Sequence, residues 1–237
     1  MKDIEYLKKY YKGNIEEAIE RLNNGEPVQY IVGNVDFYNY NFIVNKNVLI
    51  PRFETEELVL NTINLIKKYF NKEVKVLDIG TGSGAIAITI NKEVPSIVYA
   101  TDISKEALEV AKLNSEKNNA SVNFINTNLY DGIEDKFDVV ISNPPYIRYD
   151  EEIDEIVKNN EPHLALYASN NGLYYYEEIL KNIKTILNDK YIIAFEIGKD
   201  QYKDIELLKN KYLPDSKIYL KKDMENRDRM VFIHNFE

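Results

Sequence analysis

The feature that most constrains the fold is a largely apolar segment that ends in two consecutive prolines. Residues 137–142 (FDVVIS) have the composition of a buried strand, and Asn143, Pro144, Pro145 and Tyr146 follow directly. Each proline fixes its φ near about −65° and lacks an amide hydrogen, and Pro144 keeps Asn143 out of the helical region. The strand therefore has a stiff exit that presents the Asn143 side chain, two backbone carbonyls and a tyrosine ring. Open α/β folds bind ligands at such a carboxyl end, although the prolines alone fit equally well a simple turn after a core strand.

Composition removes several kinds of chemistry. The 237 residues include no cysteine and only two histidines, His163 and His234. Disulfides, thiolate nucleophiles, cysteine-ligated metal clusters and a multi-histidine metal site therefore cannot form within the chain. The net charge of −9 favours a basic protein partner over nucleic acid, because proteins that bind the phosphate backbone usually carry a basic face. The sequence has no apolar run of about 18 residues and no signal-peptide core, so we expect no membrane span and a cytoplasmic location.

A glycine-rich loop joins a predicted strand to a predicted helix. Residues 74–79 form a continuous apolar run, residues 80–84 (GTGSG) follow, and residues 85–90 have helical character. This order lets a ligand approach backbone amides at a helix N-terminus. The loop fits the dinucleotide fingerprint through Gly80, Gly82 and Ala85, and it fits an S-adenosylmethionine loop through Gly80, Gly82 and Gly84 after Asp78. A purely structural strand-to-helix turn is a third interpretation.

Asp102 and the proline-rich exit bear on the choice of cofactor. Asp102 follows the second predicted strand, residues 97–101, and a carboxylate there can accept both ribose hydroxyls. Both cofactor interpretations need that carboxylate. A nicotinamide enzyme needs no acceptor pair after the fourth strand, whereas methyl transfer to a planar NH₂ group does. Asn143 and Pro144 therefore favour S-adenosylmethionine.

The periodicity predicts three parts in the chain. Residues 1–24 form a short N-terminal helical segment with a break at Gly13 and Asn14, residues 25–48 form a β-hairpin linker that begins with a β-prone run at 28–32, and residues 49–237 form the domain that carries the site. Within that domain strands alternate with helices, which predicts an α/β fold with right-handed crossovers and a mainly parallel sheet.

Individual elements of the main domain are also predicted. Thr55 is expected to cap a helix that runs to about Tyr69, and Ser104 is expected to cap a helix whose inward face includes Leu113. Residues 172–188 have an amphipathic helical pattern, and two short strands near 218–220 and 230–234 suggest a terminal hairpin. The acidic residues 147–160 are a candidate lid or a solvated loop.

From about Glu26 to its end, the sequence resembles the HemK/PrmC protein-glutamine methyltransferases. These enzymes modify the glutamine of the Gly-Gly-Gln motif in bacterial peptide-chain release factors. The matching segments are residues 26–31 (EPVQYI), 49–52 (LIPR) with 54–56 (ETE), the glycine loop, Asn143 to Tyr146, residues 161–166 (EPHLAL), Gly172-Leu173, 196–198 (EIG) and 227–229 (RDR). Many amine and amide methyltransferases share the glycine loop and the Asn-Pro-Pro-Tyr tetrad, whereas the 49–52 and 161–166 segments are much narrower signals.

The resemblance implies a fold, a cofactor and a set of site residues. The fold is a Rossmann-like class I S-adenosylmethionine-dependent methyltransferase sheet, and the partner is a release factor. Cofactor contacts are expected at Gly80, Thr81, Gly82, Ser83, Gly84, Asp102, Asn128, Leu129 and Asn143. Catalysis is expected at Asn143, Pro144 and Tyr146, and substrate contacts at these three residues and Pro145.

The sequence departs from the family pattern in three places. About 25 residues precede the hairpin, where family members usually carry a longer helical domain. Phe53 stands where a proline is usual. Asn128 stands where an acidic residue usually meets the adenine amine, and its carbonyl retains the ability to accept that hydrogen bond, with Leu129 on the adenine face.

Three other functions share parts of this pattern. A close relative could methylate another protein glutamine, such as one on a ribosomal protein. The same tetrad serves methylation of an exocyclic adenine amine in nucleic acid, against which the acidic charge argues. A binding module without catalysis would need a vestigial glycine loop, yet every glycine of the loop is present.

Overall fold

The computed structural model describes residues 3–237, so Met1 and Lys2 of the predicted N-terminal segment lie outside the described residues. The helices are α1 (Asp3–Tyr10), α2 (Ile15–Asn23), α3 (Val28–Val32), α4 (Phe53–Tyr69), α5 (Ala85–Glu93), α6 (Lys105–Lys117), α7 (Glu155–Asn160), α8 (Tyr174–Lys181) and α9 (Tyr202–Tyr212), with 3-10 turns at His163–Ala165 and Ile183–Ile186. The strands are β1 (Asn34–Phe37), β2 (Tyr40–Ile43), β3 (Val74–Ile79), β4 (Ser96–Asp102), β5 (Val122–Asn126), β6 (Phe137–Ser142), β7 (Leu187–Glu196), β8 (Lys217–Lys222) and β9 (Asp228–His234).

A large twisted sheet organises the molecule. Within residues 3–237 it has seven strands in the order β5-β4-β3-β6-β7-β9-β8. The five strands from β5 to β7 are parallel, and β9 pairs antiparallel with both β7 and β8. The predicted α/β class and the terminal hairpin are therefore confirmed. The strand order reverses between β3 and β6, and such a switch point opens a crevice at the carboxyl ends of the strands.

The apolar strands are buried on both faces, which explains their continuous hydrophobic runs. In β6, Val139 and Ile141 face the core beneath α4 and α5, whereas Val140 faces the core beneath α8 and α9. The alternation follows the two-residue period of a strand. None of the helices within residues 3–237 is both long enough and apolar enough to span a membrane.

The N-terminal elements pack around the first hairpin. Asn14 accepts a hydrogen bond from the Glu16 amide and begins α2, so the predicted break is confirmed. The predicted hairpin is present as β1 and β2. It is tied to α6 by the buried Asn114 side chain, which bonds both backbone groups of Ile43 and the Ser83 carbonyl. The same amide thus holds the hairpin against the glycine loop.

Several local predictions are wrong. Residues 28–32 are the helix α3, which begins after Pro27 and ends at Gly33 in the left-handed region, because burial of the short segment outweighs its β propensity. Leu113 is 51% exposed on α6 rather than inward. The helix predicted over 172–188 ends at Lys181, and Leu187 already belongs to β7, where it pairs with Phe137.

The start of α4 also differs from the prediction. Arg52 occupies the extended N-cap position, and the helix begins at Phe53. Thr55 therefore lies in the first turn and does not cap the helix. Its hydroxyl donates instead to Glu196 at the end of β7, at 2.6 Å. Ser104, by contrast, accepts from the Ala107 amide and caps α6 as predicted.

Candidate active site

A cavity of about 430 Å³ opens at the carboxyl ends of β3, β4 and β6. This volume is within the usual range for a small-molecule site. The predicted site residues that line it are Gly80, Gly82, Asp102, Asn128, Leu129, Asn143, Pro144 and Pro145. The fold therefore brings most of the residues predicted from the sequence to one cavity.

The rest of the glycine loop supports the cavity from behind. Thr81 donates through its hydroxyl to the buried Asp78 at 2.6 Å. The Ser83 carbonyl accepts from Asn114. Gly84 precedes α5 with φ +83°, and a Cβ at this position would lie 2.9 Å from Ile88 and 3.2 Å from Ala111. Thr81, Ser83 and Gly84 thus shape the loop, and they are absent from the cavity lining.

The Asp102 carboxylate fixes the loop while it faces the cavity. Its two oxygens accept hydrogen bonds from the Gly82 amide at 2.8 Å and the Ser104 amide at 2.9 Å. Burial raises the pKa of Asp102, and its backbone donors oppose that shift. Because a carboxylate oxygen has two lone pairs, acceptor capacity remains for the hydroxyls of a ligand.

Asn128 and Leu129 form the part of the wall beyond β5. Leu129 has φ +50°, a conformation that is uncommon for a non-glycine residue. Asn128 is exposed, and its side-chain nitrogen lies 3.5 Å from a carboxylate oxygen of Asp131. Both side chains are placed beside the cavity that Asp102 also lines.

Asn143 and Pro144 lie where two cavities meet. They line the larger cavity and also a second one of about 240 Å³. The second cavity is further lined by Leu49, Arg52, Tyr146, Ile147, Ile153, Val157, Ala165, Leu166 and Glu196. Tyr146 is among the residues that line the second cavity, and it is not among those that line the larger cavity beside the glycine loop. The tetrad therefore lies between two cavities. The glycine loop and the Asp102 carboxylate border the larger cavity, and the Tyr146 ring borders the second.

A chain of hydrogen bonds runs behind the tetrad. The Asn143 side-chain nitrogen donates to the Thr55 hydroxyl at 3.1 Å, and Thr55 donates to Glu196 at 2.6 Å. The other Glu196 oxygen accepts from the Tyr146 hydroxyl at 3.4 Å, and Arg229 donates to that hydroxyl at 3.4 Å. Burial raises the pKa of Glu196 to about 7 and also raises the pKa of Tyr146.

Two segments that matched the family pattern lie beside the second cavity and contact each other. Arg52 forms an ion pair with Glu161, whose side chain is 1% exposed. Glu161 also accepts from the Ile50 amide at 3.1 Å. A buried carboxylate normally needs such partners, so the pair fixes residues 49–52 and 161–166 against each other.

Sequence reasoning missed the functional geometry of Thr55 and Glu196. In the sequence, Thr55 has the residue type and position of a helix cap. Glu196 belongs to a segment that matches the family pattern, and that match alone implies no role for its side chain. The available signal was an acidic residue at the end of an otherwise apolar strand, since buried carboxylates often mark functional sites.

This arrangement suits transfer of a group to a planar NH₂. The backbone carbonyl of Pro144 cannot join a helix, and the Asn143 amide presents its oxygen when its nitrogen is bound to Thr55. Two acceptors can bind both hydrogens of an NH₂ group and orient the nitrogen lone pair. They also stabilise positive charge that develops on that nitrogen.

The sequence comparisons agree on a methyltransferase. The family model described as the Methyltransferase small domain matches residues 55–166. A release factor glutamine methyltransferase of Bacillus anthracis is 40% identical over 223 residues, which cover 91% of this chain and 79% of the relative. One with the same name from Lactococcus lactis subsp. lactis is 42% identical over 220 residues, which cover 92% of this chain and 80% of the relative.

A solved structure supports the fold. The crystal structure of a release factor-specific protein-(glutamine-N5) methyltransferase from Alicyclobacillus acidocaldarius is 24% identical and has a TM-score of 0.51. The match covers 83% of this chain and 100% of that chain. The architecture described above is therefore similar to that of a methyltransferase.

Proposed function

The chain belongs to the family of release factor glutamine methyltransferases, and we propose that it transfers a methyl group from S-adenosylmethionine to a release factor glutamine. The acceptor is the side-chain amide nitrogen of the Gly-Gly-Gln motif. The single observation that carries the proposal is the position of Asn143 and Pro144, which line both cavities. An acceptor pair at that junction can hold the NH₂ group of one ligand against the reactive group of another.

The larger cavity is the proposed cofactor site. Its lining suits a charged nucleoside, because Asp102 offers carboxylate lone pairs for ribose hydroxyls and Gly80 and Gly82 leave room beside the backbone. Asn128 and Leu129 are proposed to contact the base. When bound there, S-adenosylmethionine supplies an electrophilic methyl group on a sulfonium sulfur.

The second cavity is the proposed glutamine site. An amide nitrogen is a poor nucleophile because its lone pair is delocalised into the carbonyl. The Asn143 oxygen and the Pro144 carbonyl accept the two amide hydrogens and direct the nitrogen toward the methyl group. They also stabilise the positive charge that grows on nitrogen. Tyr146 and Pro145 complete the walls beside the amide.

The partner and the location are parts of the same proposal. The protein has a net charge of −9, which suits a basic protein surface. Release factors act in translation, so we place the reaction in the cytoplasm. A protein-directed enzyme should lack the steep log-linear loss of affinity with salt that phosphate-dominated binding shows.

The test is methyl transfer to competing substrates. The protein is incubated with methyl-labelled S-adenosylmethionine and, in separate reactions, a purified release factor, ribosomal proteins and duplex DNA. A release factor whose motif glutamine is replaced serves as the matched control. We expect label on the intact release factor and none on the control. Label on DNA or on ribosomal proteins, with none on the release factor, would assign the chain to another substrate class.

A further inference from the structure

We infer that Thr55 and Glu196 are positioning residues that set which end of the Asn143 amide faces the substrate. The inference rests on the proposed function, because it concerns the acceptor that holds the glutamine. The observation that carries it is the hydrogen-bond chain from Asn143 through Thr55 to Glu196, at 3.1 and 2.6 Å.

The direction of that chain follows from the donors available. A hydroxyl has one hydrogen to donate, whereas an ionised carboxylate can only accept. Thr55 therefore donates its hydrogen to Glu196, and its hydroxyl oxygen can only accept from Asn143. The NH₂ group of Asn143 is the donor to that oxygen. Within residues 3–237 this leaves the Asn143 oxygen without a protein donor, turned to the side where the substrate hydrogens are proposed to bind.

Two of the three members of the chain are buried. Thr55 is 5% exposed and Glu196 is 2% exposed. Buried polar groups pair because a missing partner is costly in a low-dielectric surrounding. Each member therefore constrains the next, and the amide that rotates freely in water has one preferred orientation here.

Charged and titratable groups approach Glu196 from four neighbouring segments. Glu54 lies on α4, and the Tyr146 hydroxyl donates from the turn after β6. Tyr176 on α8 donates to the Glu196 carbonyl at 2.8 Å, and Arg229 approaches from β9 through Tyr146. Burial raises the pKa of Glu196 to about 7, Arg229 opposes that shift, and Glu54 adds to it.

Protonation of Glu196 reverses the chain. A protonated carboxyl can donate to Thr55, which then directs its own hydrogen toward Asn143. That hydrogen requires the amide oxygen, so the NH₂ group turns to the substrate side and no longer accepts. Methyl transfer should therefore fall with decreasing pH as Glu196 takes up its proton.

The first experiment removes the hydroxyl and keeps the shape. Thr55→Val should lower kcat by about 10- to 100-fold, because misplacement of an orienting group weakens alignment for reaction. The cofactor Kd should not change, and Thr55→Ser should restore kcat. Thr62→Val is the matched control, because Thr62 is a second buried threonine on α4 whose side chain, within the described residues, bonds only the Leu58 carbonyl. Equal kcat values for Thr55→Val and Thr62→Val would overturn the inference.

The second experiment uses Glu196→Gln, which cannot titrate. Wild-type kcat should show an acid limb between about pH 5.5 and 8.5, and Glu196→Gln should lose it. An acid limb that persists unchanged in Glu196→Gln would overturn the inference even if Thr55→Val failed to fold.

A third readout needs no activity. The side-chain amide resonance of Asn143 in the free protein, identified by its loss in Asn143→Ala, should shift in Thr55→Val and not in Thr62→Val. It should also titrate with Glu196 in the wild-type protein. If these shifts occur while no release factor is methylated, the proposed function fails and the positioning chain stands. If methylation occurs without the shifts, the positioning chain fails alone.

Discussion

In the proposed function, the orientation of one side-chain amide decides whether the tetrad can bind a substrate NH₂ group. Asn143 donates to Thr55 at 3.1 Å, so its oxygen is the end left for the substrate. The neighbouring Pro144 carbonyl can only accept, and Pro145 restricts its direction because a residue before proline is confined to extended backbone. Of the two proposed acceptors, the carbonyl is therefore fixed by covalent geometry, and the amide is fixed by hydrogen bonds.

Asp102 provides a direct test of the proposed cofactor site. Asp102→Ala removes two acceptors that bind Gly82 and Ser104 and are proposed to bind ribose. We expect S-adenosylmethionine binding to weaken by about 1.5–3 kcal/mol, as for loss of a charge-assisted hydrogen bond. Calorimetry measures it, with the exposed Asp204 on α9 replaced by Ala as control. Unchanged affinity would place the ribose elsewhere, and comparable binding of NADH would argue against the methyltransferase site.

The sequence predicted those site residues that directly follow a strand, and it missed those whose role depends on distant contacts. Asp102 and Asn143 each come at a strand end, so the topology of a parallel sheet brings them to one edge. Thr55 and Glu196 are 141 positions apart in the chain. A local pattern cannot reveal that pair, and Thr55 consequently resembled a helix cap.

The turn after β6 is held by a glycine on a separate segment. Gly172 has φ +81°, and a Cβ there would lie 2.2 Å from the Tyr146 carbonyl oxygen. Gln201 donates to the same oxygen at 3.2 Å and to the Gly172 carbonyl at 3.4 Å. The loop before α8 therefore packs directly on the backbone of the tetrad.

Gly172→Ala should disturb this contact. The left-handed conformation alone costs about 1–2 kcal/mol for an alanine, and overpacking against a fixed backbone adds about 1–3 kcal/mol. Gly33→Ala is the control, since Gly33 has φ +80° and, apart from its chain neighbours, no atom of residues 3–237 lies within 4 Å of its Cβ position. We expect urea unfolding to show a larger loss for Gly172→Ala and kcat to fall only in that variant. Equal losses of stability would contradict the packing role.

The long buried strands were predictable from the sequence, whereas the short helix α3 was not. The strands around the glycine loop have continuous apolar runs that indicate burial on both faces. Residues 28–32 are also mainly apolar, yet they form α3. Pro27 and Gly33 bound this segment, and Tyr30 and Ile31 within it are buried. Over five residues, contacts with the rest of the molecule outweigh local preference.

Two buried carboxylates affect the stability of the whole molecule. Burial raises the pKa of Asp78 and that of Glu196 to about 7. Within residues 3–237, Asp78 Oδ1 also lacks a hydrogen-bond partner. An acid whose folded pKa is raised binds its proton more tightly in the folded state, so its contribution to stability is complete below its unfolded pKa and is lost as pH rises through about 7.

Asp78→Asn should therefore gain stability relative to wild type as pH rises. The difference in the free energy of unfolding should change by at most about 1.4 kcal/mol per pH unit between about pH 5 and 7. Urea denaturation across this range measures it. Asp135→Asn is the control, because the Lys75 hydrogen bond lowers the pKa of the exposed Asp135, so that this carboxyl is ionised in both the folded and the unfolded chain over this range and its difference should not vary with pH. A difference that does not vary with pH would show that Asp78 keeps its charge in the folded protein.

Stability and activity should consequently have opposite pH dependence. A neutral Glu196 favours the folded state, whereas an ionised Glu196 is required for the Asn143 orientation inferred here. Retention of a buried carboxylate at the end of β7 is consistent with a functional role at the expense of stability.

The account depends most on Asn143 as an acceptor in the reaction. The decisive measurement is kcat and cofactor Kd for wild type, Asn143→Ala and Asn143→Asp with the same release factor. Loss of one preorganised group aimed at developing charge lowers turnover by about 10²–10³. We expect that loss in kcat for Asn143→Ala with little change in cofactor Kd, and partial activity for Asn143→Asp, which retains an acceptor. Near wild-type kcat for Asn143→Ala would show that Asn143 is only a turn residue and would contradict the proposed mechanism.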